Sequence, residues 1–241
     1  MERIRIGVIN VGLKDIQGTA LYTFLLSCIP APNEIQTREV FIPHDLSVMP
    51  RYMKTLGTMC DYGVRARNQF RDFGYVQKGL RSGRYKEDCD LVETLLDASS
   101  LSATEAYLLV TGKYPGHLAN AFYKDYNILT ERAISMYRLI GAYCGFYGLP
   151  FSENLPVGKI ECDCVFNKGI ADMKVSRTSN YNKEYWVQLM LYTFTAKSRD
   201  NLDRRCLYLL YPVQGDIKYF IYPEAQYRIL FKVFQEVRQC T

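Results

Sequence analysis

Gly158-Lys159-Ile160-Glu161-Cys162-Asp163-Cys164-Val165-Phe166-Asn167-Lys168-Gly169-Ile170-Ala171-Asp172-Met173-Lys174 is the stretch that decides the fold. Asn167-Lys168-Gly169 is a tight-turn sequence, so residues 160–175 read as two strands joined in a hairpin. A period of two puts Glu161 and Asp163 on one face of the first strand. It also puts Cys162 and Cys164 together as small buried hydrophobes. On the return strand, Asp172 and Lys174 share a face. The short hairpin brings Asp163 and Asp172 within reach of one divalent ion. Carboxylate oxygens are the hard ligands that Mg²⁺ or Mn²⁺ prefers. An ammonium beside them can orient an attacking water or neutralise a phosphate in the transition state. The plain alternative is a cross-strand salt-bridge set on an exposed sheet.

Downstream of the hairpin, Lys183 to Lys197 reads as a helix carrying Trp186, Leu189, Met190, Tyr192 and Phe194. Leu207 to Tyr222 reads as a second hairpin around Pro212-Val213-Gln214-Gly215-Asp216, and Glu224 to Val237 as an amphipathic closing helix. Upstream, Gly145 to Pro156 is turn-rich with one short strand-like run. Asn120 to Tyr143 spaces Ile128, Ala133, Ile134, Tyr137 and Ile140 as a long helix does. Ser102-Ala103-Thr104-Glu105 is a capping box inside a mainly helical region from Arg51 to about Gly145. Pro30, Pro32, Pro43 and Pro50 mark turns or extended connections. Before them, the first residues suggest a strand (Ile4, Ile6, Val8), then a short helix or second strand over Leu21 to Ile29. This order predicts one mixed α/β domain over 1–241, with a helical insertion at 51–145 and a core at 146–222.

The chain has 241 residues, 48% of them hydrophobic, which fits a folded domain and excludes a largely disordered chain. No run approaches the roughly 18 consecutive apolar residues of a membrane span, and Met1 to Ile6 is no signal peptide. We therefore expect a cytoplasmic protein with no membrane partner. The eight cysteines include no CxxC pair, so free thiols in a reducing compartment are expected. The formal charge of +5 is unevenly spread. Arg51 to Lys86 holds nine basic residues against Asp61 and Asp72, a net +7, so the remainder carries −2. Such a block suits a polyanion, or else forms a solvated helix face.

Two further motifs join the hairpin. Gln188-Leu189-Met190-Leu191-Tyr192 follows it on the expected helix, and Leu56-Gly57-Thr58-Met59-Cys60-Asp61-Tyr62 precedes it. Asp-x-Lys after an acid-bearing, glycine-led strand, followed by Gln-hydrophobic-x-x-Tyr, resembles the PD-(D/E)XK nuclease superfamily, and within it the RecB-like group of phage and bacterial type. The upstream stretch is similar to a Gly-Thr-x-x-Asp-Tyr helix start in some members. A solvated salt-bridge set predicts no particular helix after it, so the Gln188/Tyr192 pair favours the site reading.

The resemblance implies a restriction-endonuclease-like core, a central mixed β-sheet flanked by helices. It makes Asp163 and Asp172 metal ligands and Lys174 the catalytic lysine, with Gln188 and Tyr192 facing the site from the next helix. Glu161 is the rival or support for Asp163, by its distance from Gly158. The family's upstream acid falls to Glu153 by position, with Glu131 second. Some RecB-like nucleases hold an iron–sulfur cluster, but the closely spaced C-terminal cysteines it uses are missing here. The implied activity is Mg²⁺- or Mn²⁺-dependent hydrolysis of phosphodiester bonds in DNA, with RNA the alternative substrate. The backbone would be held by Arg65, Arg67, Arg71, Lys78, Arg81 and Arg84, with Arg177 contacting a phosphate. The same pattern fits a ring-forming or partner-dependent nuclease. It also fits a catalytically silent nuclease fold that binds nucleic acid or assembles within a phage or mobile-element machine.

Overall fold

The computed structural model describes residues 16–47, 50, 53, 56–57, 60–61, 64, 119–145, 151–155 and 158–239. The expected N-terminal strand, the capping box at Ser102 and the basic residues Arg65, Arg67, Arg71, Lys78, Arg81 and Arg84 lie outside them.

Of the two readings for residues 21–29, the structure takes the helix. Helix α1 (Ala20–Cys28) starts where Thr19 accepts a hydrogen bond from the Tyr22 amide. A 3₁₀ turn (Pro32–Glu34) leads into strand β1 (Gln36–Glu39), all four residues of which are exposed. Helix α2 (Ala119–Cys144) is the long helix that the sequence predicts. Strands β2 (Phe151–Leu155), β3 (Gly158–Cys162), β4 (Cys164–Val165) and β5 (Gly169–Met173) follow. Helix α3 (Lys183–Asp200) is capped by Asn182, which accepts from the Glu184 amide, and stops at Asn201 in the left-handed conformation. Strands β6 (Cys206–Tyr211) and β7 (Asp216–Ile221) and helix α4 (Glu224–Gln239) complete the chain. No helix among the described residues is long and apolar enough to cross a membrane.

Five strands form one mixed sheet in the order β1-β7-β6-β5-β4. β5 and β6 are parallel, with Asp172 beside Leu209, and every other pair is antiparallel. A parallel pair needs a crossover connection, and α3 supplies it. The fold is thus α/β with helices against the sheet. The strict alternation in β6 shows how the two faces are assigned. Leu207, Leu209 and Tyr211 enter a core with α1, α3 and α4, built around Leu25, Trp186, Phe194, Tyr227 and Phe234. Cys206, Tyr208 and Leu210 enter a second core with α2 and with Leu56, Cys60 and Val64. Those last three sit at helical positions four residues apart, as one face of a helix requires. Cys28, Cys60, Cys144, Cys164 and Cys206 are buried free thiols.

One local expectation is corrected. The first strand of the hairpin is not continuous: it bends at Asp163, which separates β3 from β4. The Asp163 carboxylate accepts the Met173 amide at 2.9 Å, taking the place of a ladder carbonyl. β3 is then released to pair with β2 in a separate two-stranded ribbon. Cys162 and Cys164 therefore do not share one strand.

The connection from residue 40 to 47 is fixed from two sides. His44 donates its amide to Val213 O, and its ring Nε2 lies 2.9 Å from Oδ1 of the fully buried Asp125 on α2. Arg132 of α2 donates to the carbonyls of Ile42 and Pro212.

Candidate active site

The site forms where β5 ends beneath α3. In β5, Ile170 belongs to the core on the α3 side while Ala171 and Met173 belong to the other, so alternation turns Asp172 toward α3. Lys174 follows two residues later on the same side. On α3, Gln188 and Tyr192 are four residues apart and share one helix face.

These side chains make one connected chain of polar contacts. Lys174 pairs with the Asp172 carboxylate and donates to Gln188 Oε1 at 2.9 Å. Gln188 Nε2 donates to the Tyr192 hydroxyl at 2.5 Å, which fixes the amide with its oxygen toward Lys174. The Lys174 Nζ also lies 4.6 Å from the centroid of the Tyr185 ring, so anion, amide and π-face share its charge.

Electrostatics within the cluster are set by burial. Asp172 is 3% exposed. Desolvation pushes its carboxyl up to about 7, opposed by Lys174 and reinforced by the nearby Asp163. Burial works against the Lys174 charge, yet Asp172 and Asp163 outweigh it and hold the ammonium above its usual range. Lys174 thus stays protonated, while Asp172 competes for a proton near neutrality.

The structure brings together Asp163, Asp172, Lys174, Gln188 and Tyr192. Glu153 and Glu161 lie on the β2–β3 ribbon, whose strands approach α3, and β3 also approaches β5. In that ribbon Glu153 pairs with Ile160, and Glu161 with Ser152. Glu131 is exposed on α2, which packs against the other face of the sheet. Arg177 is exposed in the connection between β5 and α3.

Asp61, part of the upstream motif, was given no role in the sequence reading. Gly57 packs near Val175, immediately after Lys174. The buried Tyr137 hydroxyl is raised well above its usual range, first by desolvation and then by Asp163, Cys164, Asp61 and Asp172. Asp61 is thereby within electrostatic reach of the same phenol as the two site acids. Its helical position one turn after Gly57 was the available signal.

Among the described residues, no group of three or more His, Cys, Asp or Glu side chains is arranged to hold a metal ion. Asp163 and the buried Asp172 supply hard oxygen donors, so the donor chemistry fits Mg²⁺ or Mn²⁺. No family model matches the chain, and neither a curated protein nor a solved structure matches it.

Proposed function

We propose that this chain is a metal-dependent nuclease that hydrolyses phosphodiester bonds of DNA, built on a restriction-endonuclease-like core of the PD-(D/E)XK, RecB-like kind. The observation that carries the reading is the polar array from Asp172 through Lys174 and Gln188 to Tyr192, with Asp163 beside it accepting the Met173 amide. Asp163 and Asp172 would hold Mg²⁺ or Mn²⁺. When bound, the ion supplies Lewis-acid polarisation of the scissile phosphate and lowers the pKa of a water. Lys174 keeps its proton on Nζ and presents that charge to a phosphate oxygen or to the incoming water. Gln188 fixes the direction of Nζ, and the Tyr192 hydroxyl fixes the direction of Gln188. Burial of Asp172 keeps bulk water out, which strengthens each of these charges.

The test is purified protein on linear, circular and single-stranded DNA with Mg²⁺ or Mn²⁺. Cleavage is expected, and Asp172→Ala or Lys174→Ala abolishes it. An active Asp172→Ala protein, or a wild type inert on every DNA and RNA form, defeats the enzyme reading. One observation favours a second reading, the catalytically silent nucleic-acid-binding or assembly module. The Lys174 ammonium is already engaged by Asp172 and Gln188 without any ligand. The same assay separates the two readings, because a silent module binds nucleic acid and cleaves none.

A further inference from the structure

An open cavity of about 450 Å³ lies between the connection that follows β5 and the first turn of α3. That size falls within the ~300–1,000 Å³ of small-ligand sites. Ser176, Thr178, Asn180, Tyr181, Lys183 and Tyr185 are among the residues that line it. The wall offers hydroxyls, amides, an ammonium and two phenol rings, and no lining residue carries a carboxylate.

Two geometric facts give this cavity a ligand class. Tyr185 is a shared wall, because its ring also faces Lys174 Nζ at 4.6 Å, so the cavity lies one aromatic ring from the candidate active site. Tyr181 is 37% exposed, yet its hydroxyl donates to Pro30 O at 3.2 Å, so the open ring is held in one orientation. A fixed, open π-face is what a heteroaromatic base stacks on, and every base has such a face. Pre-fixing the ring also avoids the entropy cost of ordering it on binding. Lys183 and the Thr178 hydroxyl supply the cationic and hydrogen-bonding partners that a phosphate needs. A base that enters a recess has left its own stack and its pairing partner.

We propose that this cavity is a subsite for one unpaired nucleotide of a DNA strand, with Tyr181 stacking the base and Lys183 and Thr178 contacting the phosphate. The inference rests on the nuclease reading for the identity of the neighbouring site, and it assigns that site strands with an unpaired segment.

Binding is measured by fluorescence anisotropy in chelator, where no metal-dependent cleavage occurs, with a labelled single-stranded oligonucleotide and a blunt duplex of the same sequence. Tyr181→Ala is expected to weaken single-strand binding roughly tenfold and to leave duplex binding unchanged, while Tyr181→Phe, which keeps the ring, stays within about threefold of wild type. Equal binding of both probes by wild type and Tyr181→Ala overturns the subsite. A fold-independent check uses wild type alone: a single-stranded oligonucleotide containing 5-iodouracil is irradiated with it. The crosslink is expected on Tyr181 or Tyr185, and crosslinks confined to other residues overturn the proposal. A wild type that binds through Tyr181 but cleaves nothing upholds the subsite and removes the nuclease reading. A cleaving wild type with a Tyr181→Ala variant that binds normally removes the subsite alone.

Discussion

Lys174 holds three partners at once, and each makes a separate demand on the sequence. The anion must be two residues back on the strand, the amide must lie on the crossover helix, and the ring must stand one turn before that amide. Gln188 is the piece that joins strand to helix. Gln188→Ala removes the acceptor of Lys174 and the donor to Tyr192 while leaving both carboxylates in place. On the proposed nuclease reading, cleavage is expected to fall by about 10–100-fold, the range for groups that orient a metal-site residue. Steady-state kinetics should show the loss in kcat, with KM little changed.

Asp172 makes a pH prediction at the same scale. Its carboxyl ordinarily titrates at 3.8 and is pushed up to about 7 here, by burial first, so the folded chain keeps a proton that the unfolded chain has released. Stability held through Asp172 is therefore complete below about 4 and is lost as pH rises through about 7. In chelator, the Tm of wild type minus that of Asp172→Asn should decline across this window, and Mg²⁺ should reverse the decline. A difference that stays flat with pH contradicts the buried-proton account.

At the scale of elements, Gly215 shows how one turn governs a distant strand. It closes the β6–β7 hairpin with φ at +78°, and its carbonyl accepts the amides of Val40 and Phe41 just after β1. A Cβ there would lie 2.2 Å from Phe41 O, so backbone must move. Gly215→Ala is expected to cost about 2 kcal/mol or more, combining left-handed strain with overpacking. Hydrogen exchange should show early loss of protection in β1 and β7.

The elements also explain what was legible in the sequence. The turn at 212–216, the turn at 167–169 and the helical spacing of 183–197 are local patterns, and each element appeared where its pattern lies. The clustering of the five candidate residues was legible for the same reason, since i,i+2 on a strand and i,i+4 on a helix fix a face without knowledge of the fold. β1 was not legible, because Gln36-Thr37-Arg38-Glu39 is wholly exposed and carries no alternation. The bend at Asp163 was not legible either, because a side chain there does the work of a backbone carbonyl. The approach of Asp61 toward Tyr137 depends on packing between helices far apart in sequence.

At the scale of the molecule, one sheet carries both cores, and β6 contributes alternate residues to each. Neither core can be lost without exposing the back of the other. Trp186, the single tryptophan, is 1% exposed and reports the core on the α3 side, while α2 contributes much helical signal on the opposite side. Thermal unfolding followed by tryptophan fluorescence and by far-UV circular dichroism should therefore give coincident midpoints. Separate midpoints would mean that the sheet does not couple its two faces.

The edge position of β1 has a consequence in time. Gln36 pairs with Tyr219, 183 residues further along the chain, whereas β5, α3, β6 and β7 are neighbours in sequence. Contacts that close long loops repay their entropy last. β1 therefore joins a sheet that the later strands have already assembled. During synthesis β1 must wait until β7 has been made before that pairing can form, and until then its safeguard against mispairing is its polar sequence.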